Sequence, residues 1–227
     1  MISLELLRQV AVWSKELTSE EAERARKGIS EKTYSKGAYL CHQGDRFDAW
    51  ASVITGLVKM STVSDSGKQV SLAGLASGAW FGEGSILKQE PRRYDVIALR
   101  ETRLALMDLS TFNWLYENSV GFNRFLVQQF NERLGQFIGQ VENERMLDAT
   151  GRVARALASI FNPQLNPGVG KHLAITQEEV GLLSGLSRQV TNQSLKVLEQ
   201  SGILQVERGG IAIRDWRDLA RYGATGA

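Results

Sequence analysis

Cysteine is almost absent from this chain. Cys41 is the only one, so no disulfide can form within the chain and no cysteine-based iron–sulfur cluster or structural zinc site can be assembled. Histidine is nearly as scarce, with only His42 and His172. No Ser/His/Asp arrangement, phosphate-binding P-loop or metal-ligand spacing can be read, so no catalytic residue, metal ligand or cofactor is expected and the chain does not read as an enzyme. No stretch reaches the ~18 consecutive apolar residues of a membrane span. The first fifteen residues carry Glu5 and Arg8 and lack the apolar run of a signal peptide. The expected address is therefore the cytoplasm, with no membrane partner. A large excess of charge of one sign is missing too, since the formal net charge is only +2.

What is present is an ordinary globular composition over 227 residues, 43% hydrophobic and 23% charged, enough for two domains without staples. Residues 150–227 hold nine Lys/Arg against six Asp/Glu. That mild basic bias suits a polyanion partner.

Residues 1–30 read as helical, with Ser19–Ala25 a run of helix formers after a polar cap. From Lys32 to Asp108 short apolar segments alternate with glycines. Gly37, Gly44, Gly56, Gly67 and Gly78 mark turns of an all-β roll. Trp50–Ile54, Gly56–Val63, Val96–Leu99 and Leu104–Met107 read as strands, and Asp65–Lys68 as a hairpin turn. Val120–Leu147 contains no proline. Its Phe122, Leu126, Phe130, Leu134, Phe137, Val141 and Glu144 recur every three or four residues. This predicts a long helix and a homodimer seam of Leu126, Phe130, Leu134, Phe137 and Val141. Asp148–Gly151 breaks the pattern and reads as a hinge. The expected division is 1–117 for a roll with N-terminal helices, 118–147 for the dimerisation helix and 148–227 for a second domain. Asn162–Gly170 reads as a linker inside that domain.

The segment Thr176–Leu198 carries the chemistry. Thr176 and Glu179 form a capping box, Gly185 ends the first helix, and Ser187 caps a second. Val190, Leu195 and Leu198 give the second helix an apolar side. Arg188, Gln189, Asn192, Gln193 and Lys196 stay on the polar side. Arginine pairs with the O6/N7 edge of guanine, and Asn or Gln with adenine. These side chains sit in the first turns of the second helix, as in a DNA-reading helix-turn-helix. Thr176, Ser187, Arg188, Gln189, Asn192, Gln193 and Lys196 are the expected DNA-binding residues. Gly202–Ile213 follows as a hairpin, which makes a winged helix.

Taken with Tyr39–Asp45, Phe81-Gly82-Glu83 and Leu147–Ala154, this segment resembles the CRP/FNR family of bacterial regulators over nearly the full length. The resemblance implies an α+β chain with an N-terminal β-roll sensor of the cyclic-nucleotide-binding type, a dimerising long helix and a C-terminal winged helix-turn-helix. It also implies an inverted-repeat DNA operator, RNA polymerase as a partner and a small-molecule effector. Members that bind cyclic nucleotides hold the ribose with a Gly-Glu pair, here Gly82 and Glu83. They hold the phosphate with an Arg followed by Ser or Thr. Either Arg92 or Arg93 can match that arginine, but neither Ser nor Thr follows. Asp95 is expected to repel a phosphate nearby. Phe137 and Ile138 stand where cyclic-AMP binders place a Thr-Ser pair, and burying an adenine amino group there unpaired would cost about 1–3 kcal/mol. The expected effector pocket is Gly82, Glu83, Arg92, Arg93, Phe137 and Ile138, with an effector other than cyclic AMP in the usual mode. The alternative is a nucleotide held through Gly82, Glu83 and Arg92 or Arg93.

Overall fold

The computed structural model describes residues 1–63, 69–143 and 147–223. The chain opens with α1 (Leu4–Val10), a 3₁₀ turn over Val12–Glu16 and α2 (Ser19–Lys27). Thr18 caps α2 through a reciprocal box with Glu21. Helix ends there, because Ile29 and Ser30 already belong to a strand rather than to the helical opening expected for residues 1–30. The roll follows: β1 (Ile29–Tyr34), β2 (Tyr39–Cys41), β3 (Ala49–Thr55), β4 (Val58–Val63), β5 (Gln69–Leu75), β6 (Trp80–Phe81), α3 (Glu83–Lys88), β7 (Asp95–Ala98) and β8 (Thr102–Asp108). Two antiparallel four-stranded sheets form, ordered β1-β8-β3-β6 and β2-β7-β4-β5. The turn expected at Asp65–Lys68 lies outside the described residues.

Strand β3 shows why the roll closes. Ala51 and Val53 point inward, among Val58, Met60, Val96 and Leu104. Trp50 and Ile54 point to the other face, as strand alternation requires. Both faces are buried, so the strand reads as a continuous apolar run. The outer face is roofed by the N-terminal elements, by α4 (Leu109–Asn118) and by the start of α5 (Val120–Asn143). Trp13, Trp50, Trp80, Phe112 and Phe122 meet there, with Trp50 and Trp80 centroids 4.2 Å apart. Each such burial contributes about 1.5–3 kcal/mol.

This roof corrects the seam expected on α5. Leu126 is 2% exposed and packs in the same core as Phe122, so it is not free to face a partner. The side chain of Val141, and Glu144 altogether, lie outside the described residues.

The second domain comprises α6 (Ala149–Phe161), β9 (His172–Leu173), α7 (Gln177–Ser184), α8 (Arg188–Gln200), β10 (Leu204–Glu207), β11 (Gly210–Ile213) and α9 (Trp216–Arg221). Asp148 accepts from the N–H of Gly151 at 2.8 Å and caps α6. The break expected at Asp148–Gly151 is thus a helix start, with Ala149–Gly151 already helical. Asn162–Gly170 is the loop expected. The wing is the β10–β11 hairpin, and β9 adds a third strand to it.

Candidate nucleic-acid interface

Helix α7 begins at the box anticipated above. The Thr176 hydroxyl accepts from Glu179 N–H at 3.2 Å, and the Glu179 carboxylate accepts from Thr176 N–H at 2.8 Å. At its other end Gly185 adopts φ +66°, and its N–H donates to Gly181 O. A side chain there would strain the turn. Arg152, from α6, donates to Ser184 O at 2.9 Å, so a cation sits on the negative end of α7. Ser187 then caps α8, accepting from Val190 N–H. Removing the first cap with Thr176→Ala should lower stability by about 1 kcal/mol, a shift that urea denaturation of the two proteins would resolve.

The buried side of α8 differs from the expected one. Thr191, Ser194, Leu195 and Leu198 are all 2% exposed or less, whereas Val190 is 37% exposed. Small hydroxyl residues pack here because their oxygens find partners: Thr191 donates to Ser187 O at 2.9 Å, and Ser194 meets Thr150. Val190 therefore joins the open face.

Arg188, Gln189, Gln193 and Lys196 are exposed, as are Thr176 and Ser187, and Asn192 is half-buried. Arg188 lines a cleft of about 340 Å³ between the start of α7 and the wing, with Thr176, Gln177, Glu178, Glu207 and Gly209. His172 Nε2 lies 3.1 Å from Glu207 at the base of the wing.

The roll holds a second polar cluster. Glu83 is 5% exposed and accepts from Trp50 Nε1 at 3.2 Å. Arg133 of α5 pairs with it at 3.3 Å. Gly82, at φ +101°, leaves room for the guanidinium of Arg92, which a Cβ would strike. Arg92 is 2% exposed and donates through Nη2 to Ala49 O at 2.8 Å. Its Nε and Nη1 are buried without a hydrogen-bond partner. Burial first, and the Glu83 charge second, push the Tyr94 phenol above its usual pKa. Arg93 instead turns outward and pairs with Glu90.

Two family models match this chain. The cyclic nucleotide-binding domain matches residues 31–119, and the Crp-like helix-turn-helix domain matches residues 151–222. The chain belongs to the CRP/FNR family. It is a DNA-binding transcription regulator of that type. It is 27% identical to the cAMP-activated global transcriptional regulator CRP of Haemophilus influenzae over 183 residues, 79% of this chain and 82% of that one. It is 28% identical to the cAMP-activated regulator Vfr of Pseudomonas aeruginosa, over 78% and 85% of the two chains. The Thermus thermophilus catabolite activator protein superposes with a TM-score of 0.52 at 25% identity, covering 95% of this chain and 99% of that one. FixK2 from Bradyrhizobium japonicum shares the fold, with a TM-score of 0.65 at 21% identity over 88% and 99%.

The structure brings together only part of the expected pocket, Gly82, Glu83 and Arg92. Arg92, not Arg93, is the interior arginine. Asp95 is 8% exposed and accepts from Gln43 N–H at 2.8 Å. Phe137 and Ile138 are 39% and 50% exposed. The long helix reaches Glu83 one turn earlier, through Arg133, with Gln129 donating to Trp80 O at 3.1 Å. Arg133 and Tyr94 belong to the buried Glu83 cluster and were not anticipated there. A lone arginine in a helix read for its apolar period was the available signal. Cys41 and His42 face opposite ways. Burial pushes the Cys41 thiol up to about 11, against the opposing charge of Arg92, so it is a protonated core residue. His42 stacks on Tyr39 at 4.0 Å.

Proposed function

We propose that this CRP/FNR regulator works in the cytoplasm as a homodimer that reads an inverted-repeat operator and cooperates with RNA polymerase. The observation that carries the DNA reading is the open face of α8, where Arg188, Gln189, Gln193 and Lys196 stand beside the start of α7. In this reading α8 enters the major groove. Arg188 meets a guanine, Gln189 and Gln193 meet neighbouring bases, and Lys196 meets phosphate. The free N–H groups at the start of α7, next to Thr176, suit a second phosphate. Selection on random duplexes tests this: an inverted repeat should emerge, bound more weakly as salt rises. Recovery of unrelated sequences with no repeat would overturn it.

The effector in this reading is not cyclic AMP in the usual mode. The hydroxyl residue that follows the phosphate arginine is replaced by Arg93, which pairs outward with Glu90, Glu83 is already engaged by Trp50 and Arg133, and Phe137 and Ile138 offer adenine no hydrogen bond. Micromolar cyclic AMP should give no binding heat in calorimetry and should leave operator affinity unchanged. The two unpartnered donor nitrogens of Arg92, Nε and Nη1, favour an effector bearing an anionic group. They also support a second reading, a cyclic nucleotide in a rearranged pose. Micromolar cyclic-AMP binding that is lost in Arg92→Ala would establish that second reading and overturn the first.

A further inference from the structure

The roll and the DNA-binding domain are joined by a fork of hydrogen bonds from Arg100, two residues beyond β7. Its Nε and Nη2 donate to the two carboxylate oxygens of Glu179 at 2.7 and 2.5 Å, and its Nη1 donates to Ala174 O at 2.7 Å. Glu179 is 6% exposed. It is also the carboxylate that completes the Thr176 capping box, so one buried side chain ties the roll to the first turn of the helix-turn-helix. Neighbouring contacts follow the same line. Ser71 Oγ donates to Leu182 O at 2.7 Å, and Ala76 N–H to Asn166 Oδ1 at 2.8 Å. Gly168 N–H donates to Ser77 O at 3.0 Å. Leu57, Ala76 and Leu99 of the roll share one apolar cluster with Ile160, Val180 and Leu183. Gly74 lets the last of these close in, since a Cβ there would meet Ile160 and Leu183.

This docking leaves the reading face open. Arg188, Gln189, Gln193 and Lys196 are exposed while the domains are joined, so the contact does not mask DNA binding. What it does fix is direction. A bidentate arginine–carboxylate pair sets an angle as well as a distance. Such a pair, with Glu179 buried and Arg100 partly exposed, adds little net stability and is better suited to specifying one arrangement.

We propose that Arg100 is a positioning residue for DNA recognition: through Glu179 it holds α8 in one orientation relative to the roll and α5, and so sets the half-site spacing that the dimer accepts. This rests on the dimeric reading above. If α5 is the seam, the orientation of α8 relative to α5 determines how far apart the two recognition helices lie. Each base pair inserted between half-sites moves one of them by ~3.4 Å and about a tenth of a turn. A rigidly held pair of helices cannot follow that displacement, and an unlatched pair can.

The test uses the full chain and the operator recovered by selection. Binding is measured to a single half-site, to the selected repeat, and to repeats with one or two base pairs inserted or removed. Wild type should prefer one spacing by about tenfold or more, because the second half-site contributes only when geometry allows both to bind. Arg100→Ala should bring the spacings to within about threefold of one another while half-site affinity stays unchanged. Arg100→Gln, which leaves a neutral donor facing Glu179, should behave the same way and guards against a folding defect in the first variant. Spacing preference that survives in both variants overturns the proposal. So does a parallel loss of half-site affinity, which would mean that Arg100 merely supports the helix-turn-helix. A wild-type chain that sediments as a monomer would show that the dimeric reading failed, and the proposal with it.

Discussion

Replacing Leu134 and Phe137 together by glutamate should turn the protein into a monomer. Among the described side chains, the exposed large apolar residues of α5 are Val120, Val127, Phe130, Leu134, Phe137 and Ile138. Within them Val127, Phe130, Leu134 and Phe137 step by three, four and three, which is a heptad seam. The inward stripe of Phe122 and Leu126 is satisfied by the roll, so the outward stripe is a second, independent one. A helix of 24 residues is ~36 Å long, and the roll leaves its stripe of Val127, Phe130, Leu134 and Phe137 exposed. In the proposed dimer, pairing with a second copy would hide what remains. Two glutamates on each helix would place four unpaired carboxylates in that seam, and an uncompensated buried charge costs about 3–5 kcal/mol. Operator affinity should then fall by roughly 10²–10⁴-fold, the factor that joining two half-site readers supplies. Sedimentation velocity reads the first effect and a gel shift the second. Helical content should stay at the wild-type level, because both positions are exposed in the single chain. A double variant that still sediments as a dimer would place the seam elsewhere.

Local signals made most of the architecture legible in the sequence. The polar cap before Ser19, the capping box at Thr176, the left-handed Gly185 and the cap at Ser187 act within three or four residues, and each appears in the structure with its hydrogen bonds. The β-roll was legible from glycine rhythm and apolar runs for the same reason. What was not legible depends on which face meets a neighbour. Leu126 and Val127 are adjacent and both apolar, and only the roll decides that the first is buried and the second is not. Val190 looks like core and Thr191 like surface until partners for the hydroxyls of Thr191 and Ser194 are in place. Arg92 and Arg93 are likewise equivalent on paper. The loop before β7 decides which guanidinium enters the roll: Arg92 N–H donates to Asp45 O at 2.9 Å and its side chain reaches Ala49 O, while Arg93 pairs with Glu90. The fork from Arg100 to Glu179 spans 79 residues, and no spacing rule reaches that far.

Arg188→Ala should weaken binding to the selected operator by about 1–3 kcal/mol and abolish preference at one base pair of each half-site. Arg188 is the first residue of α8, next to the cap Ser187, and it lines the cleft between α7 and the wing. A side chain so placed points where the helix axis enters the major groove. Its five-donor fork matches the O6 and N7 acceptors of guanine, so its loss removes a base-specific pair rather than a general attraction. Lys196 provides the contrast. It lies two turns further along α8 and is exposed, and as a point charge it suits phosphate. Lys196→Ala should weaken all sequences alike and reduce the slope of log affinity against log salt by about one. Repeating the selection with wild type, Arg188→Ala and Lys196→Ala separates the two roles. The Arg188 variant should recover the repeat with one degenerate position in each half, and the Lys196 variant should recover it unchanged. If the Arg188 variant keeps the same guanine at the same position, another residue reads that base and α8 sits differently in the groove.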